Sequence, residues 1–330
     1  MQIDLRTVSI TPLRQTFDNV AKRLGGDKPA SRYQEGTWDV QARANYHYRP
    51  TWDPAHKMFD ESRTAIKMKD WYSFKDPRQF YYGSWTQSRA RLQETAEADF
   101  DFVEQRGLVA NLPATIRKLA LELYVPLRHV EWGANMNNAS ICAYGFGTAV
   151  TAPAQFQAMD RLGSAQYLSR VGLLLGSQDD LVAAKEAWLN DAKWQDLRRY
   201  VEDSFVVQDW FELYVAQNLV LDGLMYPLLF RRVDDFMTSQ AGPVVAMLTR
   251  FQAEWFVDSS KWVDATMKTA ATESAENKAQ LEAWATAYAA RAVKALTPLV
   301  THALGDAAAG AIDEAMTQFK ARCAKAGVSV

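Results

Sequence analysis

Residues 124–170 constrain the fold of this chain more than any other stretch. They indicate two long core helices, and Pro153 places the break between them near residues 151–153, because proline fits only the first turn of a helix. Glu131 precedes the quartet of residues 161–164 by about thirty residues, so an antiparallel second helix brings the quartet back level with Glu131. Carboxylate-bridged di-iron helix pairs are built in this way.

The quartet nevertheless lacks the ligands that such a metal site requires. A di-iron bundle takes one Glu from each of two helices and a Glu-x-x-His pair from each of two others. Here Arg161 and Ser164 stand at the two positions of the pair, and a guanidinium has no lone pair to offer a metal. No Glu-x-x-His occurs anywhere in the chain. The pattern predicts the fold without the metal chemistry.

Two of the four histidines, His56 and His129, lie close in sequence to an acidic residue that could share a metal with them. Asp53 and His56 have the i, i+3 spacing, but Pro54 lies between them in an irregular segment, and we expect no metal site there. His129 and Glu131 are two residues apart and point to different faces of a helix. We therefore interpret His129 as a hydrogen-bonded core residue.

Composition excludes several classes of function. The 330 residues are 48% hydrophobic with a formal net charge of -2, which provides no basic surface for nucleic acid or an anionic membrane. Cys142 and Cys323 are too few for a disulfide framework. The most apolar run, residues 219–230, contains Asp222 and Pro227 and is shorter than the roughly 20 residues that span a bilayer. With no signal peptide at the N-terminus, we expect a cytoplasmic protein.

The whole pattern predicts an all-α, ferritin-like helical bundle with an irregular N-terminal arm and extra C-terminal helices. The arm is expected over residues 1–75 and the helical domain over residues 76–330. No segment alternates with period 2 between hairpin signals, so we expect no substantial sheet. Helices are predicted at residues 79–105, 112–124, 179–190 and 192–224, and Pro227 is expected to kink or end the last of them. A further helix is expected to begin at Gly242-Pro243. The C-terminal helices are expected to be interrupted at Pro298 and Gly305.

The arm is rich in aromatic side chains that would be costly to leave in water. They pack either on the chain's own domain or on a partner chain, and the sequence favours neither alternative. The residues are Tyr33, Trp38, Tyr46, Tyr48 and Trp52.

Four segments resemble one known family. They are DPRQFYYGSWTQSRAR (76–91), PLRHVEWGANMNN (126–138), QAMDRLGSAQYLSRVGLLL (157–175) and RRYVEDSFVVQDWFEL with AQNLVLDGL (198–224). The chain resembles the beta subunit of the hydroxylase of bacterial multicomponent di-iron monooxygenases, above all that of phenol hydroxylase. The resemblance covers nearly the whole chain.

The resemblance implies the composition of the enzyme. The related alpha subunit carries the di-iron centre, and this chain is a non-catalytic subunit with no metal, cofactor or active site of its own. The hydroxylase contains two copies each of alpha, beta and a small gamma chain. A reductase with FAD and an iron-sulfur cluster supplies electrons from NADH, and a small regulatory protein takes part. The reaction of the whole is the conversion of phenol to catechol.

The resemblance also implies vestigial ligand positions. A motif like Asp-Glu-x-Arg-His of the alpha subunit corresponds to residues 160–164 here and, in the second half, to residues 258–262, with Glu212 in the role of Glu131. The suspected positions are Glu131, Arg161, Ser164, Glu212, Ser259 and Trp262.

We predict that Glu131 and Arg161 form a buried ion pair in place of iron, with the Ser164 hydroxyl as a further partner. The alternative is that Arg161 reaches solvent and Glu131 pairs elsewhere. Other functions also stay open: the beta subunit of a toluene or benzene monooxygenase, an autonomous di-iron oxidase, or a helical scaffold. The aromatic substrate range is not determined by this chain.

Overall fold

The computed structural model describes residues 16–25, 29–41 and 49–330, and these ranges contain helices and no β-strand. The all-α prediction is confirmed. In chain order the helices are α1 (Asp18–Leu24), α2 (Arg32–Glu35), α3 (Tyr82–Gln105), α4 (Ala114–Tyr124), α5 (Leu127–Tyr144), α6 (Thr148–Leu175), α7 (Gln178–Asn190), α8 (Ala192–Ser204), α9 (Trp210–Ala241), α10 (Val244–Glu273), α11 (Ala275–Leu304) and α12 (Ala308–Lys325).

Helices α5 and α6 form the antiparallel core pair, but the break between them is not at residues 151–153. Helix α5 ends at Tyr144, and Gly147 has a φ of 85°, a conformation that glycine adopts without strain. The break therefore lies at Gly145-Phe146-Gly147. Gly145, in an extended conformation, ends the first helix of the pair, and Gly147 directly precedes the second.

Three prolines lie inside helices, although Pro153 and Pro298 were expected to interrupt helices and Pro227 to kink or end one. Pro153 is in α6, Pro227 in α9 and Pro298 in α11. A proline removes one backbone hydrogen bond and crowds the preceding turn, at a cost of about 3 kcal/mol. Extensive burial of these long helices offsets that cost. A π-helical segment, Leu228–Val233, follows Pro227 directly and widens the turn at that point.

Two other helix boundaries differ from the sequence prediction. Helix α3 begins at Tyr82 and not at residue 79, because Gln79 has a φ of 52°, outside the helical region. The helix predicted over residues 192–224 is two helices. Helix α8 ends at Ser204, and the Asp209 carboxylate caps α9 by accepting hydrogen bonds from the backbone N–H groups of Phe211 and Glu212.

Helix α9 is the central element of the bundle, as its apolar sequence predicted. It packs against α5, α10, α11 and α12, and it contains π-helical turns at Val215–Leu221 as well as at Leu228–Val233. Residues 219–230 alone were expected to be too short to span a bilayer. The helix is longer than that run, and by length and composition alone it could cross a membrane. However, 94% of its most apolar window is buried inside the protein. Its apolar surface is therefore used by the core.

The described parts of the predicted arm pack on the chain's own helical domain. The Tyr33 hydroxyl accepts a hydrogen bond from the Asp76 backbone (2.7 Å), and the Gln41 side chain accepts one from the Gly147 backbone (2.8 Å). Trp52, by contrast, is 66% exposed. Tyr46 and Tyr48 lie outside the described residues. The division at residue 76 stays a prediction.

The close contact between α5 and α8 provides a test of this packing. A Cβ added at Gly133 would lie 2.5 Å from Cγ1 of Val201, so we expect Gly133→Ala to lower the free energy of unfolding by about 1–3 kcal/mol. Gly163 is also helical but has no neighbouring heavy atom within 4 Å of such a Cβ. Gly163→Ala should raise stability by about 0.5–1 kcal/mol. Denaturant unfolding of the purified chain measures both, and changes of the same sign would contradict the assigned packing.

Candidate functional site

The guanidinium of Arg161 lies at the centre of the bundle, with no exposed surface. One of its NH groups lies 3.1 Å from Oε2 of Glu131, and the other donates a hydrogen bond to Asp222. The Tyr226 hydroxyl accepts a hydrogen bond from Arg161 and donates one of 2.8 Å to Oε1 of Glu131. The cluster joins three helices: α5 contributes Glu131, α6 contributes Arg161, and α9 contributes the other two residues.

The predicted ion pair between Glu131 and Arg161 is therefore present, and the alternative in which Arg161 reaches solvent is wrong. Ser164, one turn along α6, is buried, and burial raises the pKa of Glu131 while the nearby Ser164 hydroxyl slightly opposes that rise. The Gln252 side chain donates to the Ser164 hydroxyl at 3.3 Å. The position of Ser164 agrees with the predicted hydroxyl partner.

Burial raises the pKa of Glu131 to about 7, while Arg161 opposes that rise and the nearby Asp222 adds to it. Burial likewise raises the pKa of Asp222, again against the effect of Arg161. One guanidinium offsets only one negative charge. The buried cluster is therefore electrically neutral when one of the two carboxyl groups carries a proton.

Four members of the cluster were not predicted from the sequence. Besides Asp222 and Tyr226, they are Gln252 and Trp255 on α10, whose i, i+3 spacing directs both toward α6. The Arg161 guanidinium lies 4.7 Å from the centroid of the Trp255 ring, within cation–π range. In the sequence, these residues could have been found as polar side chains within apolar helices. Asp222 is the clearest example.

The suspected ligand positions of the second half lie elsewhere. Glu212 accepts a hydrogen bond from the Tyr288 hydroxyl (2.9 Å), and the Ser259 hydroxyl donates to the backbone of Phe256. Trp262 packs edge-on against Tyr214, with ring centroids 5.1 Å apart. The structure does not bring these three residues to Arg161. Their descent from metal ligands stays a prediction.

Buried polar groups extend the cluster on both sides. Gln217 donates to Asp222 (2.9 Å) and accepts from Asn137 (2.9 Å), which links α9 to α5. Next to Arg161, the Asp160 carboxylate accepts hydrogen bonds from Trp85, Arg89 and Trp255, on α3 and α10. Because buried polar groups are costly when unpaired, this network fixes the register of the helices.

These residues do not fit a di-iron centre. The guanidinium carries the positive charge between the carboxylates and offers no electron pair to a metal. In the part of the chain that the structure describes, no group of three or more His, Cys, Asp or Glu side chains could hold a metal ion. His129 stacks on Trp188, and burial lowers its pKa to about 4; His56 contacts Asp53, and His302 contacts Glu122. His47 lies outside the described residues.

A family model described as Methane/Phenol/Alkene Hydroxylase matches residues 52–274. The chain belongs to this family. It is 50% identical over 330 residues to the phenol 2-monooxygenase oxygenase component DmpL of Pseudomonas sp. strain CF600, with 99% of this chain and 98% of the relative covered. It is 44% identical over the same coverage to the corresponding component MhpL of Acinetobacter pittii strain PHEA-2.

Solved structures of the family agree with the fold. A xenon-pressurized phenol hydroxylase from Pseudomonas sp. OX1 matches with a TM-score of 0.92 and 43% identity over 99% of both chains. A structure of toluene 4-monooxygenase with bound toluene matches with a TM-score of 0.77 at 19% identity, covering 89% of this chain and 98% of the other, and shows the fold alone. The resemblance to a hydroxylase subunit of a multicomponent monooxygenase is confirmed.

The buried cluster of this hydroxylase family member can be tested by removing its cation. Arg161→Ala leaves two buried carboxyl groups without their counter-charge, so it should lower the free energy of unfolding by about 3–5 kcal/mol. Combining Glu131→Gln with Arg161→Met should recover part of the loss, with Asp222 responsible for the remainder.

Arg199, on α8 and largely exposed, provides the matched control. Arg199→Ala should change stability by less than about 0.5 kcal/mol. Denaturant unfolding monitored by tryptophan fluorescence measures all three proteins. Equal effects of the two arginine substitutions would contradict the role assigned to Arg161.

Proposed function

We propose that this chain is the non-catalytic beta subunit of a multicomponent phenol hydroxylase. The reaction of the assembly is phenol + O2 + NADH + H+ to catechol + NAD+ + H2O. The observation that carries the proposal is the Arg161 guanidinium, which lies between Glu131 and Asp222 at the centre of a hydroxylase-type helical bundle. The similarity to two phenol 2-monooxygenase components over 99% of the chain supports the substrate.

In this proposal the chemistry is carried by other chains. The di-iron centre belongs to the catalytic alpha subunit, and the hydroxylase contains two copies each of alpha, beta and gamma. An NADH-dependent reductase with FAD and an iron-sulfur cluster delivers electrons, a small regulatory protein completes the system, and the enzyme is cytoplasmic. This chain contributes a rigid helical surface and no step of the reaction.

Exposed apolar side chains on α5 and α6 support a surface for the catalytic chain on this helix pair. Because Glu131 pairs with Arg161, the next residues, Trp132 and Leu162, lie at one level on the outside of the helix pair. A hydrogen bond of 2.7 Å from Asn135 to the Ala158 backbone sets Met136 level with Met159 in the same way. Four large apolar side chains, between 40% and 52% exposed, thus share one face.

We call these four residues, together with Phe205, the outer face. The Phe205 ring packs edge-on against Trp132 at 6.1 Å and continues the apolar surface onto the end of α8. Contiguous exposed apolar surface on a folded chain marks an interaction site. Since the relatives are components of multicomponent enzymes, we assign the outer face to the catalytic hydroxylase chain.

A toluene monooxygenase subunit is the second candidate. The beta subunit of the toluene-4-monooxygenase hydroxylase of Ectopseudomonas mendocina is 22% identical over 70% of this chain. The phenol 2-monooxygenase components are twice as similar and match 99% of the chain, which favours phenol.

Charged substitutions on the outer face should weaken assembly without unfolding the chain. We expect Met159→Asp combined with Leu162→Asp to abolish co-elution with the catalytic chain in size-exclusion chromatography, because a buried unpaired carboxylate costs several kcal/mol at an interface. The control is Phe102→Asp, an apolar residue of similar exposure on α3. Retained co-elution of the double variant, or equal loss in the control, would contradict the assigned surface.

A further inference from the structure

A cavity of about 400 Å³ lies between α9, α10 and α12, on the opposite side of Tyr226 from the Arg161 cluster. Its walls are aromatic: Tyr226 and Phe230 of α9, Phe256 of α10 and Phe319 of α12. Small residues between these rings leave the space open, among them Ala253 and Ala315. This volume lies within the range of small-molecule sites in proteins.

The aromatic walls hold one another in place. The Tyr226 ring stacks on Phe256 with centroids 5.1 Å apart and an interplanar angle of 13°, and it packs on Phe230 at 5.0 Å. Its hydroxyl is fixed by Glu131 and Arg161 in the cluster described above. The aromatic walls of the cavity are therefore preformed and hold their positions without a ligand.

One polar group in the wall has hydrogen-bonding capacity that the described residues do not use. Nε of Arg322 donates to Asp264 at 2.7 Å, and the guanidinium lies 5.6 Å from the centroid of the Phe256 ring. Its two NH groups are buried and have no hydrogen-bond partner among the described residues. Buried donors are normally paired, and although the two NH groups do not face the cavity as they stand, a small rotation toward an acceptor atom there would complete the bonding of Arg322.

We propose that this cavity is a binding site for a small monocyclic aromatic molecule that carries a hydroxyl group. The ring lies against Phe256 and Phe319, and the oxygen accepts a hydrogen bond from an NH group of Arg322 after a small rotation of that side chain. Aromatic walls favour a planar ring over an aliphatic chain of equal volume, and the cationic donor selects an oxygen acceptor. Gln318 and Arg231 also line the cavity.

The proposed site is separate from the outer face and goes beyond the subunit role. It also gives the occupant one direct contact with the core of the chain, because Tyr226 both lines the cavity and bonds the Glu131–Arg161 pair. In our proposal this chain has no active site, so a phenolic ligand in the cavity would not be at a catalytic centre. It would be a second bound molecule, separate from any substrate in the catalytic chain.

The test is the binding of 4-bromophenol to crystals of the assembled hydroxylase, located by the anomalous scattering of bromine. We expect a peak between Phe256 and Phe319 in this chain, with the phenol oxygen toward Arg322. Ala315→Phe fills the cavity and should abolish the peak. Ala321→Phe, on the exposed side of the same helix, should retain it. Ala253→Phe fills the cavity from α10 and replaces Ala315→Phe if that variant does not fold.

Several outcomes would overturn the proposal. They are no peak in the unsubstituted protein, a peak that persists in both filled variants, an oxygen directed away from Arg322, equal occupancy by bromobenzene, or a partner-chain segment that fills the cavity. Each is distinct from failure of the subunit role, which is measured by co-elution. An assembly that forms normally and binds no bromophenol here would contradict the cavity site alone.

Discussion

The buried contact of Arg161 with two carboxyl groups is the interaction on which the other features of this chain depend. A charge at the centre of a helical bundle is tolerated only when it is paired and hydrogen-bonded. Glu131, Asp222 and Tyr226 provide those partners, and they come from α5 and α9, while Arg161 belongs to α6. The position of any one of these helices is therefore fixed by the other two.

The same contact explains how a hydroxylase-type bundle can serve as a structural subunit. A guanidinium supplies positive charge to the carboxylates, and its planar fork of donors fixes their geometry. It neither exchanges electrons nor binds dioxygen. The bundle has a buried polar interior in which a guanidinium, and no metal ligand set among the described residues, lies between the carboxyl groups. The apolar outer face lies directly behind the cluster, since Trp132 and Leu162 follow Glu131 and Arg161 in sequence.

The sequence predicted the members of the cluster that lie on α5 and α6. Glu131 and Arg161 lie level on the antiparallel helices because the turn at residues 145–147 is midway between them; the break predicted at residues 151–153 would not have placed them so. Asp222, Tyr226 and Gln252 were missed because their facing depends on how α9 and α10 pack on that pair. The π-helical turns of α9 change which residues point inward. Ser259 and Trp262 were suspected from the match of residues 258–262 to the alpha-subunit motif, and they have other partners.

The measurement that tests the central claim most directly is the iron content of this chain purified alone, compared with that of the assembled hydroxylase from the same cells. The account predicts that iron accompanies the catalytic chain and is absent from this chain, because the Arg161 guanidinium lies between the buried carboxyl groups and offers no electron pair to a metal. Stoichiometric iron in the isolated chain that is lost on Glu131→Gln substitution would show a metal site at the cluster and would contradict the account.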